Sequence, residues 1–296
     1  MQRRHLLALL AGAPLAAQAQ APAAPLLTRT VPSSGEALPR VGLGSWITFN
    51  VGDDPVGRRR SAAVMRAFFE GGGRLIDSSP MYGSSQDVIG DALRTLRPPA
   101  LLSADKVWTG GDGAEQIEAS RRLWGVPRFD LLQVHNLLAW ERQLPLLLEM
   151  KRAGRLRYVG ITTSEGRRHR EFERLMRTQP LDFVQLSYNL LDREAEERLL
   201  PLAQERGIAV LVNRPFQQGA LPRRLERLPL PGWAADIGCT NWTQAALKFV
   251  VSHPAVTCAI PATTRVDHVR ENLAAGTGAM PDAALRRRMA ADVSRL

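Results

Sequence analysis

Lysine is nearly missing from this chain. Of its 39 basic side chains only Lys106, Lys151 and Lys248 are lysines, and the rest are arginines. Arginine stays charged in any protein, whereas an ammonium is a compact charge that tunes a neighbour, so each lysine here is a candidate for chemistry. Cysteine occurs only as Cys239 and Cys258, too few for a disulfide scaffold. No His/Cys/Asp cluster has zinc-ligand spacing, which leaves metal hydrolysis unsupported. The sequence has no G-x-S-x-G elbow for a serine nucleophile and no evident carboxylate pair for glycoside cleavage. The net charge of +10 raises the question of nucleic acid, but the arginines do not form one stripe. Arg58-Arg59-Arg60, Arg167-Arg168 and Arg286-Arg287-Arg288 lie far apart in helical patterns, as a solvated surface does, and no nucleic-acid partner is expected.

The apolar stretch Leu6–Ala17 is 12 residues long, too short to span a bilayer. Arg3-Arg4 before it and Ala17-Gln18-Ala19 after it read as a signal peptide over 1–19, cleaved before Gln20. The paired arginines suit the twin-arginine route, which exports folded proteins to the periplasm, although Gln2 stands where Ser or Thr is usual. Residues 20–40 read as an Ala/Pro linker and a hairpin turning at Ser33-Ser34-Gly35-Glu36, and 41–296 as one domain. Export would permit a disulfide. Cys239 precedes a helical pattern that leads to the strand carrying Cys258, a separation beyond the reach of a disulfide, so two free buried thiols are expected.

Strand-like apolar runs recur at 41–46, 74–78, 100–107, 130–135, 158–162, 182–187, 208–213 and 256–261. Amphipathic helical patterns lie between them, such as Ser61–Glu70, Glu141–Ala153 and Glu194–Arg206. Runs that are apolar throughout mark strands buried on both faces. No glycine-rich phosphate turn follows the first run, which disfavours an open doubly wound sheet. Eight β-then-α units predict an α/β fold, a (β/α)8 TIM barrel with an N-terminal hairpin and a C-terminal helix. The connection Phe216–Cys239 lacks clear structure and holds three prolines, as a lid or clamp does.

Asp77, Lys106 and His135 close the second, third and fourth runs, and Tyr82 follows Asp77 by five residues. Adjacent barrel strands would bring a carboxylate, an ammonium, an imidazole and a phenol together at the strand carboxyl ends. A lysine beside a tyrosine favours the phenolate and lowers the phenol pKa, and an aspartate holds the lysine charged. Such a proton donor suits reduction of a carbonyl, with hydride supplied by a cofactor.

Ile76-Asp77-Ser78-Ser79-Pro80-Met81-Tyr82-Gly83 resembles the aldo-keto reductase signature, an Asp followed five residues later by Tyr-Gly. Gly42-Leu43-Gly44-Ser45-Trp46, Lys106-Val107-Trp108, Gln133-Val134-His135, Ile260-Pro261 and Glu271-Asn272 fall in that family's order, so the resemblance runs from about Leu38 to Asn272. It implies a catalytic tetrad of Asp77, Tyr82, Lys106 and His135. It also implies NADPH as cofactor, with NADH open, and a small-molecule carbonyl substrate. Ser45, Trp46, Thr162, Thr163 and Gln185 would meet the nicotinamide end, and Pro215, Phe216 and Gly219 the pyrophosphate. Thr263, Arg265, His268, Glu271 and Asn272 would meet the adenosine end. Trp46, Met81 and Trp108 would line the substrate pocket.

The sequence departs from the family pattern in several places. Asn213 replaces a Tyr that stacks on the nicotinamide. Ala262 and His268 replace residues that often hold the 2′-phosphate, leaving Arg265 as the obvious cation. Asp105 stands where Thr is usual, and Gln86 where Glu is. The rival reading is a nicotinamide-nucleotide-binding or sensory barrel with little turnover, since reduced cofactor is not replenished outside the cytoplasm.

Overall fold

The computed structural model describes residues 25–295, so the expected signal peptide and most of the linker lie outside the described residues. An antiparallel hairpin comes first, β1 (Thr28–Thr30) against β2 (Ala37–Pro39). Its turn begins earlier than the sequence suggests. Ser34 and Gly35 donate to the Val31 carbonyl and Gly35 has φ +75°, while Glu36 already pairs with Val31 across the hairpin.

Eight parallel strands follow in unbroken order: β3 (Leu43–Gly44), β4 (Leu75–Asp77), β5 (Leu102–Val107), β6 (Leu131–Val134), β7 (Tyr158–Thr162), β8 (Phe183–Ser187), β9 (Ala209–Asn213) and β10 (Cys258–Ala259). Parallel bridges Val41–Ala259 and Gly44–Ala262 join the last strand to the first and close the barrel. This seam explains one glycine. A Cβ on Gly44 would lie 2.7 Å from the Ile260 carbonyl oxygen, so only glycine lets the two backbones meet. Every residue of these eight strands except Asn213 is buried, which is why these segments read as apolar runs.

Each strand's inward side chains change character along its length. At the strand starts Leu75, Leu102, Leu131, Tyr158 and Phe183 pack with Val31 and Leu38 of the hairpin, which plugs that end. One or two inward positions later the same strands carry Asp77, Lys106, Gln133 and Gln185. The period-two alternation of a strand therefore delivers an apolar plug at the bottom and a polar floor at the top.

Helices form the outer layer: α1 (Pro55–Glu70), α2 (Ser85–Leu96), α3 (Gly113–Trp124), α4 (Trp140–Arg152), α5 (His169–Thr178) and α6 (Leu199–Arg206). Then come α7 (Ala220–Leu225), α8 (Trp233–Asp236), α9 (Trp242–Ser252), α10 (Val266–Ala274) and α11 (Ala283–Ser294). Asp54, Asp112, Asn241 and Asp282 cap α1, α3, α9 and α11 by accepting backbone N–H bonds. The expected helix over 194–206 is broken: a 3-10 turn at Glu194–Glu196 is followed by Arg198 at φ −135° before α6 starts. The connection 216–239 is not structureless either. It carries α7 and α8, whose Leu221, Leu225 and Trp233 are buried. Cys239 and Cys258 are both free and buried. No helix among the described residues is long and apolar enough to cross a membrane.

Candidate active site

The strand carboxyl ends open into a cavity of about 1070 Å³. At its floor the Lys106 ammonium donates to Asp77 Oδ2 (2.5 Å) and to the Ser78 carbonyl (2.8 Å). Both side chains of this ion pair are essentially solvent-free. A buried pair needs its remaining lone pairs satisfied. Asp77 Oδ1 accepts from the amides of Gln133 (3.1 Å) and Gln185 (2.9 Å), which bring β6 and β8 to the carboxylate. Burial works against the Lys106 charge, but Asp77 and Tyr82 outweigh it and hold the ammonium above its ordinary pKa.

Tyr82 stands in the loop between β4 and α2, with the Lys106 nitrogen 5.0 Å from its ring centroid. Its ring meets His135 edge-on at 5.7 Å. The sequence predicts that Lys106 lowers the phenol pKa. Lys106 does pull it down, but burial pushes harder in the other direction and Tyr82 stands above its ordinary value. The phenol is therefore protonated at neutral pH. Burial, helped by Lys106, holds His135 down at about 3, so its imidazole is neutral. His135 Nδ1 lies 2.8 Å from the Ser79 hydroxyl. Asp105 points from β5 into the helix layer; burial pushes its carboxyl up to about 7.

Of the residues expected at the nicotinamide end, Ser45, Trp46, Thr162 and Gln185 line the cavity. The Ser45 hydroxyl donates to the Asp77 carbonyl (3.0 Å), and the Thr162 hydroxyl accepts from the Asn136 backbone N–H (2.9 Å). Thr163 does not line it. Its hydroxyl turns to the Arg167 carbonyl, and Ser164 takes the place at the wall. Pro215, Phe216, Gly219, Thr263, His268, Glu271 and Asn272 line the cavity as well. Arg265 is outside this lining. It is exposed and held by Asp267, Nε to Oδ1 at 3.0 Å. Of the residues expected at the substrate pocket, Trp46 and Met81 line the cavity, whereas Trp108 stands outside it, 42% exposed. The resemblance implies Trp108 at the pocket, but β5 ends one residue before it, at Val107.

Three cations at the cavity escaped the sequence reading: Arg167, Arg214 and Arg223. Arg214 stacks over the Trp46 ring at 5.3 Å and is paired with Glu165, which also takes Arg167. These contacts join the loops after β3, β7 and β9 across the mouth. One signal was available, since Arg214 directly follows the last residue of β9. Asn213 takes the Ser187 hydroxyl (2.6 Å) and donates to the Thr163 carbonyl (3.0 Å), so it links strands where a stacking ring was absent.

The sequence profile of the Aldo/keto reductase family matches residues 40–287. The chain is similar to methylglyoxal reductase YeaE of Escherichia coli, 30% identical over 251 residues that cover 82% of this chain and 87% of that protein. It is also similar to the NADH-specific methylglyoxal reductase of Escherichia coli, 28% identical over 236 residues, 67% of this chain and 69% of the other. Among solved structures, an aldo/keto reductase from Klebsiella pneumoniae in complex with NADP and acetate superposes with a TM-score of 0.72. It is 25% identical, covering 86% of this chain and 91% of that one.

Proposed function

This chain belongs to the aldo/keto reductase family, and from that premise we propose that it reduces an aldehyde or ketone with NADPH, Tyr82 being the proton donor. The observation that carries the assignment is the buried Asp77–Lys106 pair set against a protonated phenol and a neutral imidazole. A carbonyl oxygen placed between Tyr82 and His135 takes a hydrogen bond from the phenol and then its proton as negative charge develops. Lys106 stabilises the phenolate left behind, and Asp77 keeps Lys106 charged and fixed. His135, neutral and steadied by Ser79, orients the carbonyl without competing as an acid.

The cavity fits the cofactor. Asn272 lines it, and its Oδ1 is buried with no hydrogen-bond partner among the described residues, an acceptor waiting for a donor. Arg214 and Arg223 line the same cavity, cations of the kind that phosphates need. Ser45, Trp46, Thr162 and Gln185 would hold the nicotinamide end, Pro215, Phe216 and Gly219 the pyrophosphate, and Thr263, His268, Glu271 and Asn272 the adenosine end. When bound, NADPH supplies the hydride. Arg265 would reach a 2′-phosphate only by leaving Asp267.

Fluorescence titration of the purified protein with NADPH and NADH, followed by an aldehyde panel, tests the reading. Micromolar NADPH binding with turnover is expected. Binding without reduction of any carbonyl would favour the nucleotide-binding barrel instead. We also propose export to the periplasm by the twin-arginine route, supported by Arg3-Arg4 and Ala17-Gln18-Ala19. Changing both arginines to lysine should retain the protein in the cytoplasm, and unchanged export would remove this route.

A further inference from the structure

Two departures from the family pattern, Asp105 and Gln86, turn out to be the two ends of one buried hydrogen bond. Gln86 Nε2 donates to Asp105 Oδ2 at 2.6 Å, and the other carboxyl oxygen accepts the Lys106 backbone N–H at 2.8 Å. Asp105 is fully buried and Gln86 nearly so. Their placement matters. Asp105 is the residue before Lys106 on β5, and Gln86 belongs to the first turn of α2, four residues after Tyr82. The bond therefore ties the loop that carries the phenol to the strand that carries the ammonium, from the side away from the cavity.

Resting on the reading above, we propose that Asp105 and Gln86 are a positioning pair for carbonyl reduction, fixing Tyr82 against Lys106 and making the rate depend on the charge of one buried carboxyl. Glutamine is suited to both charge states. To a carboxylate it donates its N–H; to a carboxylic acid it presents its oxygen after a half-turn of the amide. The tie thus survives protonation, and what changes is the field. The charged or titratable groups acting on Asp105 are Lys106 on its own strand, Asp77 on β4 and Tyr82 in the adjoining loop. From α2 it meets the neutral Gln86, and α3, packed on the same strand, buries only Gly113, Ile117, Ser120 and Trp124. Ionised Asp105 raises the Tyr82 pKa and makes the phenol a weaker acid. With the carboxyl titrating at about 7, reduction should slow as pH rises through neutrality.

The test measures kcat, KM and NADPH affinity against pH for wild type, Asp105→Asn and Gln86→Leu. Asparagine reproduces the acid form: its oxygen accepts from Lys106 N–H and its amide donates to the turned Gln86. Asp105→Asn should keep the kcat that wild type shows at low pH and lose the inflection near pH 7. Gln86→Leu cuts the tie and should lower kcat about tenfold or more, with NADPH affinity within about twofold. An unchanged inflection in Asp105→Asn, or unchanged kcat in Gln86→Leu, overturns the proposal. Should the variants fail to fold, carbon-13 aspartate labelling of wild type still decides it: one carboxyl resonance should titrate near pH 7 together with kcat, and none doing so is the refuting result. Wild type that binds NADPH and reduces nothing would instead refute the functional reading itself.

Discussion

The two ends of the barrel are built on opposite terms. At the bottom, charged groups close on one another. Glu36 of the hairpin takes Arg74 (2.7 Å), Arg157 (2.6 Å) and the Tyr158 hydroxyl (2.7 Å). Asp130 accepts the Ser103 amide and Arg157, and Asp182 accepts the Val159 amide and Lys151. At the top the backbone is strained. Of the ten non-glycine residues at positive φ among the described residues, all but Arg97 lie in loops that follow strand carboxyl ends. Ile47, a β-branched residue at φ +62°, is an outlier by any standard. Strained backbone persists only where its surroundings over-determine it, and it gathers at functional sites. Mutations at the two ends should therefore separate activity from stability.

The largest effect is expected from Tyr82→Phe, which removes one hydroxyl and leaves ring packing intact. General acid catalysis contributes on the order of 10²–10⁴ in rate, so kcat for aldehyde reduction should fall at least about a hundredfold. NADPH affinity, followed by fluorescence, should stay within a fewfold. Near wild-type rates would refute the tetrad and leave the top of the barrel without its assigned chemistry.

Lys106→Met sharpens the comparison because it touches both properties. It leaves Asp77 buried without its ammonium, a loss typically of about 3–5 kcal/mol, moderated by the amides of Gln133 and Gln185 that remain. Activity should drop comparably to Tyr82→Phe and the urea midpoint should fall as well. A variant as stable as wild type would show that the pair is catalytic only.

How much of this contrast was legible in the sequence follows from what burial does to each region. The eight strands showed as apolar runs because both faces are covered, and the tetrad showed because its members stand at strand ends with fixed spacing. Thr163 and Trp108, which the resemblance implies at the site, do not line the cavity: each follows the last residue of its strand, Thr162 and Val107, where the loop and not the sequence pattern sets the side chain's direction. The helices α7 and α8 have six and four residues, too short to be marked by propensity and stabilised by tertiary contacts. One of these is the Trp233 indole, which donates to Asp292 of α11 (3.0 Å). Arg214 carries only the weak signal of its place after β9, because an arginine in an Arg-rich chain stands out only once its neighbours, Trp46 and Glu165, are known.

At the bottom, Glu36→Ala should leave kcat unchanged and cost stability, by about 1–3 kcal/mol for the unmade hydrogen bonds. Burial raises the Glu36 pKa, but Tyr158 and the two arginines outweigh it and the folded value lies below the ordinary one. A carboxylate so depressed contributes stability that is present above its unfolded pKa and lost as pH falls through the folded one. The wild-type advantage over Glu36→Ala should therefore shrink in acid. A variant with lowered kcat and unchanged stability would break the division between the two ends.

The smallest expected effect tests the strain itself. Ala139 stands at the head of α4 with φ +46° and ψ +39° and makes no side-chain capping bond. For an L-residue the left-handed region costs about 1–2 kcal/mol, which glycine does not incur. Glycine also loses more freedom on folding, by about 0.5–1 kcal/mol relative to alanine. The difference leaves Ala139→Gly more stable by about 0–1.5 kcal/mol, a rise of a few degrees at most in Tm. The same exchange at Ala92, buried inside α2, should go the other way, because there glycine brings only its entropy and an unfilled space. Calorimetry on the pair decides the matter. If both variants melt below wild type by similar amounts, the positive φ at Ala139 carries no cost, and the top of the barrel is no more strained than the bottom.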